Sequence, residues 1–175
     1  MKPINNFDNV QAAGGFERPE ADGYVCIIRH VEDHPDKEFI HLEVDIAEGK
    51  FKGYAAETAE RAGFWPLRCN RFYGGKSVGY FKSFIEAVEA TNKGYKWNWN
   101  EQSLVNKGVG IVFREEEYMN RDGQIRTSIA PWEFKTAAQI RDGDFKVPPP
   151  KKLPAGTIAP APATFVDDDG GELPF

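Results

Sequence analysis

Basic and aromatic side chains alternate in a part of the sequence that contains no acidic residue. Residues 61–85 include three arginines and two lysines but no Asp or Glu. Cations can follow the phosphates of a nucleic-acid strand and rings can stack on any base, so this combination is typical of a surface that holds a single strand. The candidate contact residues here are Arg61, Trp65, Arg68, Arg71, Tyr73, Lys76 and Lys82. The alternative is that rings such as Phe64, Phe81 and Phe84 are core and that the cations form an ordinary solvated surface.

A second aromatic group follows at residues 93–100, with the sequence Lys-Gly-Tyr-Lys-Trp-Asn-Trp-Asn. Tyr95, Trp97 and Trp99 are spaced two residues apart, so in an extended loop their rings would lie on one side as a stacking platform. A strand whose aromatic face packs on the body of the protein is an equal alternative. Lys96, Trp97 and Trp99 join the candidate contact residues.

The last ten residues combine acidic side chains with a short apolar end. A partner with an apolar pocket rimmed by Arg or Lys would bind such a peptide, because the acids steer the encounter and burial of the Phe175 ring contributes about 1.5–3 kcal/mol. The expected docking residues are Asp167, Asp168, Asp169, Leu173, Pro174 and Phe175. An acidic end that only aids solubility is the alternative, but it leaves the terminal Phe unexplained.

The charge distribution separates this tail from the rest of the chain. The net charge is -5, from 22 basic and 27 acidic side chains. Without the four acids of the tail, 22 basic side chains face 23 acidic ones, so the body is nearly neutral. Net acidity therefore does not exclude a nucleic-acid ligand, since the local charge of one face decides the encounter.

Catalytic chemistry has weaker support in the sequence. The run Glu115-Glu116-Glu117, with Asp142 and Asp144, contains ligands that Mg²⁺ prefers, which would suit a metal-dependent nuclease. The chain lacks the lysine-bearing strand motif of such nucleases, and it has neither a phosphate-binding loop nor a nucleophile turn. Cys26 and Cys69 do not complete a metal site and suit a reducing cytosol. We expect no catalysis, no cofactor and no metal.

The hydrophobic pattern predicts a mainly β scaffold for these residues. Strands are expected at 24–31 and at 38–46, where apolar side chains occupy alternate positions. Residues 50–54 are interpreted as a third strand, so that the three strands form an antiparallel meander. A weak helix is expected over residues 55–62.

The second half of the body predicts a helix and a hairpin. The helix is expected from about Lys82 to Asn92, with Ser83 and Glu86 as a capping box. Strands at 109–117 and 124–134 are expected to form a hairpin that is closed by residues 120–123.

Three strands, a helix and two further strands are the element order of the OB-fold, a five-stranded barrel with one helix between strands 3 and 4. We therefore expect a domain of this kind at residues 23–146, after an N-terminal arm at 1–22. Residues 148–162 contain six of the twelve prolines and indicate an extended Pro/Ala-rich linker, with bounds 147–165. The acidic tail, 166–175, is expected to be disordered until it docks.

The tail resembles that of bacterial single-stranded-DNA-binding proteins, which end in an acidic run followed by Pro-Phe. The matching residues are Asp167, Asp168, Asp169, Leu173, Pro174 and Phe175. The insertion Gly170-Gly171-Glu172 departs from that pattern, and the body looks more like the phage- or prophage-encoded members than the housekeeping protein. The resemblance implies single-stranded DNA as the ligand, bound with low sequence specificity, and replication or recombination enzymes as partners of the tail.

The main alternative is a protein-interaction adaptor of a phage replication or recombination complex that never contacts DNA. No stretch approaches the ~20 apolar residues that span a bilayer, and residues 1–7 lack the apolar region of a secretory signal. The sequence thus predicts a cytoplasmic protein of a bacterial cell with no membrane partner. A homo-oligomer is compatible with it.

Overall fold

The computed structural model describes residues 16–156, which form mainly one antiparallel sheet. Its strands are β1 Gly23–His34, β2 Phe39–Ile46, β3 Arg68–Phe72, β4 Gly108–Met119 and β5 Ile125–Lys135. The helices are α1 Tyr54–Ala62, α2 Val78–Thr91 and α3 Ala137–Arg141. The strand order is β3-β2-β1-β4-β5, so the mainly β prediction is confirmed. No helix in this range has the length and apolar character that a membrane span needs.

Alternation along β2 builds the centre of the core. Ile40, Leu42, Val44 and Ile46 are at most 2% exposed, because every second side chain of the strand points to one side of the sheet. Leu42 lies opposite Val31 of β1 and opposite Cys69 of β3, so the three strands share this buried side. Phe84 and Val88 of α2 belong to the same core, which places the helix over it.

The sheet does not close into a barrel. β3 and β5 are its two edges, and no ladder joins them within residues 16–156. They meet through side chains instead, where the guanidinium of Arg71 in β3 lies 4.5 Å from the centre of the Phe134 ring in β5. Five strands with a helix between the third and the fourth are confirmed, but the predicted closed barrel is wrong.

The predicted third strand at residues 50–54 is also wrong. These residues form a turn that leads into α1, and the true third strand begins at Arg68. Gly49 and Gly53 have φ values of +82° and +79°, a region that glycine enters freely, so the chain reverses here and does not extend.

A carboxylate of β2 caps the first helix. The Asp45 side chain is buried and accepts the backbone N–H of Ala55 at 2.7 Å and of Ala56 at 3.3 Å. The residue before the helix, Gly53, has no side chain for this purpose, so Asp45 satisfies N–H groups that would otherwise be unpaired. The helix predicted over residues 55–62 is confirmed.

The second helix begins four residues earlier than predicted. A 3₁₀ turn, Gly75–Ser77, leads directly into α2 at Val78. Ser83 therefore lies inside the helix, where its hydroxyl donates to the carbonyl of Gly79 at 3.1 Å, and the predicted capping box is wrong. The early start brings Phe81 to the same buried side as Phe84.

The hairpin of β4 and β5 is confirmed. Residues 120–123 connect the strands, and Met119 lies opposite Ile125. The Asn120 side chain accepts the backbone N–H groups of Asp122 at 3.0 Å and of Gln124 at 2.8 Å, which stabilises the turn.

The residues that follow β5 return across β1 and β4. A Cβ at Gly110 would lie 2.5 Å from Ile140 of α3, and a Cβ at Gly23 would lie 2.5 Å from the Phe145 ring, so both glycines permit this close packing. Lys151 then pairs with β4, donating its N–H to the carbonyl of Glu115 and accepting the N–H of Glu117, both at 2.9 Å. Part of the segment predicted as linker therefore lies along β4.

Candidate nucleic-acid interface

Three aromatic rings contact one another on the outward side of β1, β2 and β3, the first pair stacked and the second tilted. The centre of the His34 ring lies 4.6 Å from that of Phe39, and Phe39 lies 5.2 Å from Phe72. Strand register brings them together, since Phe39 is opposite His34 on one side and opposite Phe72 on the other. We call this surface the ring face. Its side chains are Glu32, His34, Phe39, His41, Glu43, Arg68, Asn70 and Phe72.

The polar part of the ring face carries both signs of charge. The Nδ1 atom of His41 lies 2.8 Å from the side-chain oxygen of Asn70, across β2 and β3. Arg68 is opposite Glu43 in the register, and a Glu32 oxygen lies 3.6 Å from Nε2 of His34. The rings are thus framed by hydrogen-bonding groups, one arginine and two carboxylates.

A second series of rings runs from the core to solvent. Tyr73, Phe81, Trp97 and Trp99 follow one another with centre-to-centre distances of 5.7, 6.2 and 6.2 Å. Phe81 is buried, whereas the Trp99 side chain is 86% exposed. Aromatic pairs at these distances stabilise one another, so the inner rings support the outer one.

Tyr73 connects this series with the ring face. It follows Phe72 in the chain, and its hydroxyl donates to Asp33, the neighbour of His34, at 2.8 Å. Desolvation and the hydrogen bond to Asp33 raise the pKa of Tyr73 to about 12. The hydroxyl therefore stays protonated at neutral pH and holds the end of β3 against the end of β1.

Residues 93–100, the Trp loop, display Trp99. The loop has neither helix nor strand, and Trp99 has a φ of +63°, which is uncommon for a residue other than glycine. The Asn98 side chain accepts the N–H of Asn100 at 3.2 Å, which stabilises this local shape. Tyr95 and Trp97 pack against the core, so of the three rings predicted to share one side only Trp99 is exposed.

Two predicted contact residues are held inside the structure. The indole N–H of Trp65 donates to the carbonyl of Val44 at 2.8 Å, and the ring packs against the core. Arg71 is half-buried over Phe134, and burial lowers the pKa of its guanidinium. It reaches the carbonyl of Tyr80 at 3.4 Å, while its buried Nε has no hydrogen-bond partner among residues 16–156.

The exposed predicted cations are distributed over the surface. They are Arg61 on α1, Arg68 on β3, Lys76 in the turn before α2, Lys82 on α2 and Lys96 in the Trp loop. The guanidinium of Arg61 lies 3.4 Å from the centre of the Phe16 ring. Lys82 and Lys96 each pair with a glutamate of α2, at 3.7 and 2.9 Å. The structure therefore distributes the five cations over different elements of the fold.

Sequence reasoning missed two rings of the ring face, His34 and Phe39. Both flank the 3₁₀ turn Pro35–Lys37, and Phe39 alternates with the buried Ile40. The signal was present, because a large ring on the polar side of an alternating strand indicates an exposed contact. The partner strand was misplaced, so the pairing of Phe39 with Phe72 could not be derived.

A separate cleft of about 650 Å³ lies between α1, residues 16–21 and the β4–β5 hairpin. Phe16, Tyr54, Phe64 and Tyr118 contribute rings to its walls. Of the predicted contact residues, Arg61 lines it.

The acidic residues considered for a nuclease do not form a metal site. Within residues 16–156, no group of three or more His, Cys, Asp or Glu side chains has the arrangement to hold a metal ion. Glu116 pairs with Arg114 at 2.6 Å, and Glu117 accepts the N–H of Leu153 at 3.0 Å. Cys26 and Cys69 are not bonded to each other.

The predicted docking residues, Asp167 to Asp169 and Leu173 to Phe175, lie outside the described residues. A scan against protein-family models gives no match for the chain, and a search of curated proteins gives no significant match.

Proposed function

We propose that the protein binds single-stranded DNA with low sequence specificity in replication or recombination. The observation that carries this proposal is Trp99, whose side chain is 86% exposed at the end of a supported ring series. An indole held out to solvent loses hydrophobic stabilisation unless it meets a ligand. Base stacking on such a ring contributes about 1–3 kcal/mol per base and tolerates any sequence.

The ring face supports the same proposal. The rings of His34, Phe39 and Phe72 offer a second place for bases, and Arg68 provides a cation for a phosphate. Tyr73 links the ring face to the series that ends at Trp99, through its hydrogen bond to Asp33 and its contact with Phe81. The proposed ligand path runs from the ring face to the Trp loop.

The arrangement of strands supports an OB-type fold, which we propose as the finer description. The order β3-β2-β1-β4-β5, with α2 between β3 and β4, corresponds to a five-stranded Greek-key barrel opened between β3 and β5. OB-folds bind oligonucleotides on the face of strands 2 and 3 and on the loop that joins strands 1 and 2. In this chain those elements carry Phe39, Phe72 and the turn after His34.

The acidic tail completes the proposal. Its similarity to the ends of bacterial single-stranded-DNA-binding proteins supports a role in recruiting replication or recombination enzymes, as in phage-encoded members of that family. The terminal Phe175 would fill an apolar pocket, and Asp167 to Asp169 would steer the approach of a basic partner. DNA coating and enzyme recruitment would then reside in different parts of one chain.

A second candidate is a protein-interaction adaptor that does not contact DNA. The ring face favours it in one respect, because Glu32 and Glu43 accompany its single Arg68. Carboxylates repel phosphates, whereas a protein partner with basic side chains would pair with them.

Fluorescence anisotropy of a labelled oligo-dT at low and moderate salt separates these candidates. The proposal predicts binding that weakens with salt and a much weaker interaction with a duplex of equal length. No anisotropy change at low salt, with a folded sample, would exclude DNA binding and leave the adaptor.

A further inference from the structure

We propose that Glu89 is a positioning residue, which holds the Trp loop so that Trp99 is presented for stacking. This inference rests on the proposed function of Trp99. Glu89 lies in the last turn of α2, and its two carboxylate oxygens hold two neighbouring residues of the loop. One oxygen accepts the backbone N–H of Trp97 and the other accepts Lys96 Nζ, both at 2.9 Å.

The contact with Trp97 fixes the residue from which Trp99 is displayed. The Trp97 ring rests against Phe81, and its buried indole N–H has no hydrogen-bond partner in the described part of the chain. The hydrogen bond from the Trp97 backbone N–H to Glu89 is therefore the polar contact that ties Trp97 to α2. Trp99 follows two residues later, and its ring lies 6.2 Å from that of Trp97, centre to centre.

The rest of the loop is held on both sides of the segment from Lys96 to Trp99. After that segment, the Asn100 carbonyl accepts the Ser103 hydroxyl at 2.6 Å. Before it, Tyr95 makes two contacts. The Tyr95 hydroxyl lies 2.8 Å from the hydroxyl of Ser103, and Lys107 Nζ lies 5.0 Å from the centre of the Tyr95 ring. Both contacts precede Lys96 in the loop. The segment from Lys96 to Trp99 thus depends on Glu89 for its polar attachment to α2.

The requirements of the helix do not explain a glutamate at this position. The C-terminal end of a helix carries partial negative charge and favours cations, but the last turn of α2 has no basic residue. A residue that is unfavourable for its own element indicates a role outside that element. The carboxylate is only 21% exposed, so it is directed toward the loop and away from solvent.

The protonation state of Glu89 agrees with this role. The N–H of Trp97 and then the ammonium of Lys96 hold the pKa of Glu89 below its usual value. The clamp is therefore complete above the unfolded pKa of a glutamate, about 4.3, and is lost as the pH falls through the lower folded value.

A double-mutant cycle, measured as oligo-dT affinity, tests whether Glu89 positions Trp99 for stacking. Trp99→Ala should weaken binding by roughly fivefold or more, and Glu89→Ala by roughly threefold to tenfold, as part of the same stacking contribution. In the Trp99→Ala background, Glu89→Ala should then have no further effect. Glu86→Gln is the matched control, because Glu86 lies one turn earlier in α2 and pairs with Lys82, and within residues 16–156 no hydrogen bond joins it to the loop. An equal loss with and without Trp99 would overturn the proposal.

A readout without DNA separates this inference from the proposed function. In protein labelled with fluorotryptophan, Trp99→Phe assigns the Trp99 resonance. Glu89→Ala should shift or broaden that resonance, although Glu89 and Trp99 do not touch, and Glu86→Gln should leave it unchanged. An unchanged Trp99 resonance in folded Glu89→Ala protein would overturn the positioning role, even if DNA binding itself is confirmed. If the wild type binds no DNA, the proposed function fails, and this spectrum still decides whether Glu89 holds the loop.

Discussion

The guanidinium of Arg71 lies 4.5 Å from the centre of the Phe134 ring and joins the two free edges of the sheet. β3 and β5 form no ladder, so this side-chain contact takes the place of the strand pairing that would close a barrel. Arg71 lies in the basic aromatic segment that predicts phosphate contacts. Its burial and its contacts instead suit a residue that stabilises the fold.

Arg71→Leu should therefore reduce stability more than intrinsic DNA affinity. Loss of a partly buried cation–π contact is expected to lower the free energy of unfolding by about 0.5–2 kcal/mol. Urea unfolding measures this change, and Arg68→Ala, an exposed arginine of the same strand, serves as the control. Unaltered stability with a large loss of affinity would mean that Arg71 contacts the ligand directly.

The ring face should show separate stacking and phosphate effects. Phe72→Ala is expected to weaken oligo-dT binding by about 1–3 kcal/mol at every salt concentration, because a stacking surface is lost. Arg68→Ala is expected to reduce the slope of log affinity against log salt by about 1, because one phosphate contact is lost. Titrations at several salt concentrations measure both, and Glu57→Ala is the control, because Glu57 is an exposed carboxylate of α1 and is not part of the ring face. If neither variant alters binding, the ligand path does not include the ring face.

Asp45 should be important for stability and not for binding. Its side chain caps α1 from β2, so Asp45→Ala removes the acceptor of the buried Ala55 N–H and of the part-buried Ala56 N–H. The free energy of unfolding should fall by about 1–3 kcal/mol. Asp45→Asn, which keeps one acceptor oxygen, should recover part of that loss in the same urea experiment. Equal stability of the alanine variant and the wild type would contradict the capping role.

Tyr73 should make stability depend on alkaline pH. The pKa of its hydroxyl is about 12 in the folded protein, above the value of about 10 for an unfolded tyrosine. A raised folded pKa means that this stabilisation is complete below about pH 10 and is lost as the pH rises through 12. The free energy of unfolding, measured at several pH values across this range, should decline less steeply with pH for Tyr73→Phe than for the wild type. Tyr24, whose pKa is also raised to about 12, keeps its own contribution in that variant.

The parts of the fold that follow from local pattern were predictable from the sequence. A continuous apolar run identified β1, alternation identified β2, and turn residues identified the β4–β5 hairpin. β3 was not predictable in this way, because Arg68 to Phe72 contain no apolar alternation and the strand is defined by its pairing with β2. Asp45 capping α1 is likewise a contact between distant residues, which no local motif reports.

The candidate site likewise contains some residues that were predictable from the sequence and others that were not. Composition identified Trp99, Lys96 and Arg68 as contact candidates, and these side chains are exposed. Composition cannot separate a ring at the surface from a ring in the core, so Trp65 was grouped with Trp99. The difference depends on a carbonyl of Val44 that accepts the Trp65 indole N–H, and that carbonyl belongs to another strand.

Intrinsic tryptophan fluorescence, titrated with oligo-dT in the wild type and in Trp99→Phe, tests the central claim most directly. Stacking of bases on Trp99 predicts strong quenching in the wild type, a reduction at higher salt, and loss of most of the quenching in the variant. Trp65, Trp97 and Trp132 provide the remaining signal and report that the protein is folded. Quenching of equal size in both proteins would show that Trp99 does not stack on DNA. No quenching in either protein at low salt would contradict single-strand binding altogether.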